Sequence, residues 1–290
     1  MTGGGDKTGG QWGDLRTRVV SGVILAALGV GLLVSSGAVM RAGLSVLVGL
    51  MAWELARLTG HLDQPDRNER HALLIGVVAG LASAVFLLVP MLTGPDGVSW
   101  VVLWVALLVP IILGWVGSVP RNRWPFVLFM LGIYGAAYGI LVTRQIGGLN
   151  WIFWVAGTVV VSDVLGYFAG RTFGGPKFWP AISPKKTWSG TVAGWIGAFL
   201  FALVIVLVTG GHDWWMLAAG PLIAFAGQMG DIADSWLKRR VGVKDSSNLI
   251  PGHGGVMDRF DAMTGAFVLP ALAVGVTMLI FVLTYPLVGG

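Results

Sequence analysis

The chain has 290 residues, 55% of them hydrophobic and 11% charged, and its mean hydropathy is +0.79. Soluble domains carry about 25% charged residues, so the composition excludes a soluble globular protein and points to a polytopic membrane protein. There is no cysteine, which excludes disulfide frameworks, thiolate metal sites and cysteine nucleophiles.

The opening stretch MTGGGDKTGGQWGDLRTR is glycine-rich and polar. It reads as a disordered tail over residues 1–18, and no small-residue cleavage site follows the first apolar run, so that run is expected to be retained. A span needs roughly 20 apolar residues to cross about 30 Å of hydrocarbon. Nine stretches qualify: residues 19–35, 38–58, 71–92, 99–119, 124–145, 151–170, 188–209, 214–237 and 256–285. The expected fold class is therefore all-α, with five spans in residues 19–148 and four in residues 149–290 that carry the chemistry. Only Ser36 and Gly37 separate the first two spans, and merging them would reverse the side of every later loop.

With nine spans, the N-terminus and the even-numbered loops share one face. That face holds all 19 Lys and Arg residues except Arg41 and Arg144, both at span ends from which they can snorkel to the headgroups. The positive-inside rule makes this face, and the N-terminus, cytoplasmic and the C-terminus external. The net charge of +5 then reports sidedness; no nucleic-acid partner is expected. No inverted repeat of the transporter kind is visible. Trp124, Trp151, Trp188 and Trp214 stand at span ends as interfacial anchors.

Acids embedded in lipid-spanning helices are costly, so they pair, coordinate a cation or line a wet cavity. Among the first five spans only Glu54, in AWELARL, is of this kind, and it reads as a helix-end residue pairing with Arg57 at helical spacing. Asp163 lies about two turns before Arg171, within reach of water or a headgroup. The loop GRTFGGPKFWPAISPKKTWSG follows, where Lys185, Lys186 and Thr187 stand at the start of a helix and offer ammonium groups, a hydroxyl and free amides to a phosphate.

Polar residues concentrate in residues 230–261, GDIADSWLKRRVGVKDSSNLIPGHGGVMDRFD. Asp231, Asp234 and Ser235 share one helix face, with Gln228 a turn earlier, and Asp258 and Asp261 repeat the i, i+3 spacing on the next helix. Two such faces can converge on a hard cation through oxygen ligands; the plainer alternative is ion pairing with Arg239, Arg240 and Arg259. Between them Gly252, Gly254 and Gly255 permit close backbone approach to a ligand, and His253 is placed to bind phosphate or shuttle a proton. Cations beside carboxylates at the lipid surface describe phosphoryl or nucleotidyl transfer to a lipid.

The same residues resemble the C-terminal signature of the phosphatidate cytidylyltransferases, the CDP-diacylglycerol synthases. Ser235, Lys238, Arg239, Lys244, Asp245, Pro251, His253, Gly254, Gly255, Asp258, Arg259 and Asp261 match it, and ISPKKTWSG, which holds Ser183, resembles another region of that family. Two positions depart from it: Asp234 where glutamate is expected and Gly166 where alanine is expected.

The resemblance implies cytidylyl transfer from CTP to phosphatidic acid with Mg²⁺, as one cation or a pair, in a bacterial inner membrane, and a homodimer. It implies metal ligands at Asp231 and Asp258, supported by Asp234 and Asp261, and catalytic roles for Lys244, Arg259 and His253 beside those acids. Lys185, Lys186, Lys238 and Arg239 would hold phosphates, with Asp163, Ser183, Thr187, Ser235, Asp245, Gly254 and Gly255 completing the substrate site. The alternatives are another CTP-dependent lipid enzyme, such as a polyprenol kinase or an archaeal-lipid cytidylyltransferase, and an ion-coupled transporter.

Overall fold

The computed structural model describes residues 8–94 and 99–288; residues 1–7 of the expected tail lie outside the described residues. Eight helices follow in order: α1 (Thr8–Val34), α2 (Gly37–Thr59), α3 (Pro65–Thr93), α4 (Trp100–Gly117), α5 (Arg123–Phe173), α6 (Trp188–Val208), α7 (Met216–Val241) and α8 (Met257–Val288). Seven of them are long and apolar enough to cross a membrane, and Val19–Val34 of α1 is a shorter apolar stretch. The protein is an α-helical membrane protein.

The chain separates α1 from α2 at the thin boundary, where Ser36 accepts a hydrogen bond from the Val39 amide and so caps α2. Arg144 completes the break from the other side by donating to the carbonyls of Leu33 and Ser35, which are left without helical partners. Its guanidinium thus closes a helix end. Helix α5 has 51 residues, about 75 Å at 1.5 Å per residue and more than twice the hydrocarbon thickness. Gly148, at φ +65° and ψ −155°, divides it; only glycine adopts that conformation without strain. Residues of both arms, Ala136 and Ile140 before the break and Trp154, Val155 and Val159 after it, join one apolar cluster.

One departure from an all-α chain is a short antiparallel hairpin of β1 (Lys177–Trp179) and β2 (Ser183–Thr187), pairing Lys177 with Thr187 and Trp179 with Ser183. Two positive-φ glycines, Gly174 and Gly175, turn the chain out of α5, and Pro184 suits a strand with a free edge. The hairpin ends at Thr187, whose hydroxyl accepts from the Gly190 amide and caps α6.

The main apolar core gathers Leu55 of α2, Ile75 of α3, Phe126 and Met130 of α5, Leu237 of α7 and Met257 of α8, all buried. Many large apolar side chains face outward, including Leu28, Trp104, Leu128 and Val204, as a lipid-facing surface requires. A polar knot ties the charged helix ends together. Arg240 at the end of α7 donates to Asn122 Oδ1 at 3.1 Å and to the Arg121 carbonyl at 2.6 Å, and Asn122 donates to the Thr59 carbonyl at the end of α2.

Candidate functional site

Helices α7 and α8 cross where Gly230 faces Gly265. A Cβ at Gly230 would strike the Asp261 carbonyl, and one at Gly265 would strike that of Ala226. Small residues let helix backbones meet in a membrane, and this crossing brings Asp231 and Asp261 to one place. They line a cavity of about 890 Å³ together with Asp163, Ser183, Lys185, Lys186, Thr187, Asp258 and Arg259. Nine residues expected at the site from the sequence, spread over α5, β2, α7 and α8, therefore share one polar hollow. Thr191 Oγ1, buried without a partner, lines it as well.

The hairpin delivers Lys186, whose ammonium donates to Asp231 Oδ2 at 2.7 Å and to the Gln228 carbonyl at 3.4 Å. The Gln228 side chain accepts from Trp195 Nε1 at 2.9 Å and donates to Ser162 Oγ and the Thr191 carbonyl. Its amide thus joins α5, α6 and α7 beside the cavity.

Lys238 sits between Asp258 Oδ1 at 2.6 Å and Asp234 Oδ2 at 2.5 Å, with all three side chains no more than 10% exposed. Asp258 is further held through Oδ2, which accepts from the amides of Ser246 and Gly255 at 2.8 Å each and from Ser246 Oγ at 3.0 Å. Asp234 has charge compensation without hydrogen-bond geometry, since neither of its buried carboxylate oxygens has a hydrogen-bond partner. It does not line the polar cavity but faces a second one of about 920 Å³, nearly all apolar, whose walls include Phe129, Gly132, Leu222, Phe225 and Asp261. Asp261 belongs to both cavities.

Other expected residues fall elsewhere. Lys244 and Asp245 line a separate hollow of about 370 Å³ with Arg57, Asn68 and Glu69. Arg239 is exposed and donates to the Val243 carbonyl at 3.1 Å, and Ser235 lines none of these three cavities. His253 Nδ1 lies 2.8 Å from Ser21 Oγ of α1. Gly254, at φ +81°, and Gly255 leave room for the protein's own carboxylates: a Cβ at Gly254 would come 2.7 Å from Asp258 Oδ2, and one at Gly255 would collide with Ser246 Oγ and Glu54 Oε1.

The expected Glu54–Arg57 pair is corrected by the structure. Arg57 pairs with Glu69 at 2.8 Å, whereas Glu54 is fully buried and turned toward the signature loop. It accepts from the amides of Val256 and Met257 at 2.9 and 2.7 Å and from Ser247 Oγ and Ser246 Oγ at 2.5 and 3.1 Å. An acid on a buried helix face was the only sequence signal, because its partners lie about 200 positions away.

Among the described residues no group of three or more acidic or histidine side chains is gathered closely enough to hold an ion unaided. Mg²⁺ is commonly bound by one or two carboxylates together with substrate phosphates. The hard oxygen donors on the cavity wall fit an ion of that kind, with Lys186 and Lys238 serving as their counter-charges here.

Fold and site define a helical membrane protein with a cation-and-carboxylate hollow bordered by an apolar one. The cytidylyltransferase family model matches residues 16–278, and this chain belongs to that family. Phosphatidate cytidylyltransferase of Pseudomonas aeruginosa is 31% identical over 276 residues, covering 87% of this chain and 94% of the relative. Proteins of the same name from Brucella abortus and Staphylococcus saprophyticus are 39% identical over 145 residues and 36% identical over 159. Those shorter matches span 49% and 52% of this chain, and 54% and 60% of the relatives' own length.

Proposed function

We propose that the protein transfers the cytidylyl group of CTP to phosphatidic acid, giving CDP-diacylglycerol and pyrophosphate. The observation that carries this reading is the pair of adjoining cavities: one polar and lined by Lys185, Lys186, Arg259 and four aspartates, the other apolar, with Asp261 common to both. The nucleotide phosphates suit the first and acyl chains the second, so the two substrates would meet at Asp261. The name shared by the relatives from three bacterial genera supports the same reaction.

In this reaction an oxygen of the lipid phosphate attacks the α-phosphorus of CTP, and the bond to the bridging oxygen of the β-phosphate breaks. Phosphatidate's monoester is already ionised at neutral pH, so no general base is required. Lys185, Lys186, Arg171 and Arg259 line the cavity and are suited to grip phosphate oxygens, arginine by two parallel bonds. Asp231, Asp258 and Asp261 would hold Mg²⁺ brought with the nucleotide, which would neutralise charge on the phosphates. Lys238 orients Asp258 and holds Asp234 in place rather than meeting substrate directly.

The reading extends to nine crossings, with the two arms of α5 as separate spans. The cationic face and the polar cavity would lie toward the cytoplasm of a bacterial inner membrane, with the N-terminus on that side, as the charge distribution favours. A homodimer is part of the same proposal, measured by sizing the detergent-solubilised protein. The reaction is tested by giving purified, membrane-reconstituted protein phosphatidic acid, Mg²⁺ and CTP labelled with ³²P at the α-position or, in a parallel reaction, at the γ-position. Labelled lipid with stoichiometric pyrophosphate is expected; label moving only from the γ-position would point to a kinase, and no lipid product at all would overturn the reading.

A further inference from the structure

Glu54 is a fully buried carboxylate that the reaction as written does not use. Its two oxygens each accept two hydrogen bonds: Oε1 from the Val256 amide and Ser247 Oγ, Oε2 from the Met257 amide and Ser246 Oγ. All four donors are neutral, and two are amides at the N-terminus of α8, that of Val256 just before the helix and that of Met257 at its first residue, where amides unpaired within the helix point outward and an anion is favoured. A buried carboxylate needs such complete satisfaction. Ser246 Oγ also lies 3.0 Å from Asp258 Oδ2. A hydroxyl has one proton, so it serves the two carboxylates in turn, and the Ser246 and Gly255 amides hold Asp258 from the same segment. Glu54 and Asp258 thus grip one short stretch of chain, and a Cβ at Gly255 would occupy the space taken by Ser246 Oγ and Glu54 Oε1.

We propose that Glu54 is a positioning residue for cytidylyl transfer, acting through Ser246 and the first turn of α8 to hold Asp258 at the cavity wall. The kinetic half of this inference rests on the proposed reaction; the structural half does not. The experiment uses full-length protein in lipid nanodiscs as wild type, Glu54→Gln, Ser246→Ala and the double variant. kcat and KM for CTP are measured beside backbone hydrogen exchange over residues 245–258. Glutamine offers one accepting oxygen where glutamate has two and turns an NH₂ toward donors.

Glu54→Gln is expected to lower kcat by about 100-fold, the cost of a displaced group, with KM for CTP within about threefold and exchange accelerated in that segment alone. Ser246→Ala is expected to cost about tenfold in kcat, the loss of one hydrogen bond to a charged group. The double variant is expected to be no slower than Glu54→Gln, because the two residues act along one path. Glu54→Gln with kcat within twofold of wild type, faster exchange throughout the chain, or a double variant whose losses multiply would each overturn the inference. If wild type makes no CDP-lipid, the proposed reaction fails and the exchange measurement decides alone: unchanged protection at residues 245–258 in Glu54→Gln overturns the positioning role.

Discussion

At the scale of single residues, the site is organised by cations that neutralise buried acids. Lys238 is the clearest case, wedged between Asp234 and Asp258. Removing one partner of a buried ion pair leaves an uncompensated charge, which costs about 3–5 kcal/mol. Lys238→Met is therefore expected to lower the thermal unfolding midpoint markedly, read by the fluorescence of the native tryptophans in detergent. Asp258→Asn is a different kind of change, since the amide keeps an oxygen for the Ser246 and Gly255 amides. It is expected to abolish CDP-lipid formation while the protein elutes as a folded species on size exclusion, and near-normal turnover would remove Asp258 from the reaction. The acids on α7 and α8 were legible because i, i+3 spacing places them on a shared helix face whatever the helix packs against. Glu54 was not: its local spacing favoured Arg57, and only the fold brings Ser246 and the α8 amides to it.

At the scale of elements, the site depends on how closely α7 and α8 approach. Gly230 and Gly265 set that distance, so Gly265→Leu must push the helices apart. Overpacking of this kind costs about 1–3 kcal/mol, and here it would also separate Asp231 from Asp261. Turnover is expected to fall by more than tenfold although every carboxylate remains, checked by the same labelled-lipid assay beside a melting curve. The hairpin after α5 plays a comparable part by carrying Lys186 to Asp231. Its two short strands were read as loop because glycines and prolines dominate the segment and no alternating pattern is long enough to be recognised. Asp234 shows the limit of face arguments, since a modest rotation of α7 turns it toward the apolar cavity while Asp231 reaches the polar one.

At the scale of the whole molecule, the adjoining cavities predict separable effects on the two substrates. A Cβ at Gly132 meets no atom within 4 Å, so Gly132→Leu fits and fills the apolar cavity it lines. KM for phosphatidic acid is expected to rise severalfold while KM for CTP stays unchanged; equal changes in both would mean that acyl chains bind elsewhere. Sidedness is open to direct measurement because the protein has no native cysteine. With nine crossings, a cysteine at Asp63 should react with a membrane-impermeant thiol reagent only from the cytoplasmic side, and one at Gly94 only from the outside. The opposite labelling would invert the topology.

Membrane residence and the carboxylate-bearing signature were determined by the sequence alone, because hydrophobicity and helical periodicity are properties of neighbouring residues. The sequence expectation of nine spans met seven helices long and apolar enough to cross, with Val19–Val34 shorter and two expected spans joined in α5. Which acid meets which base was decided only by the tertiary structure: Lys238 with Asp258, Lys186 with Asp231 and Glu54 with the α8 amides are separated by 20 to 203 positions. Such pairings follow from how helices cross, and crossing is set by packing across the whole bundle.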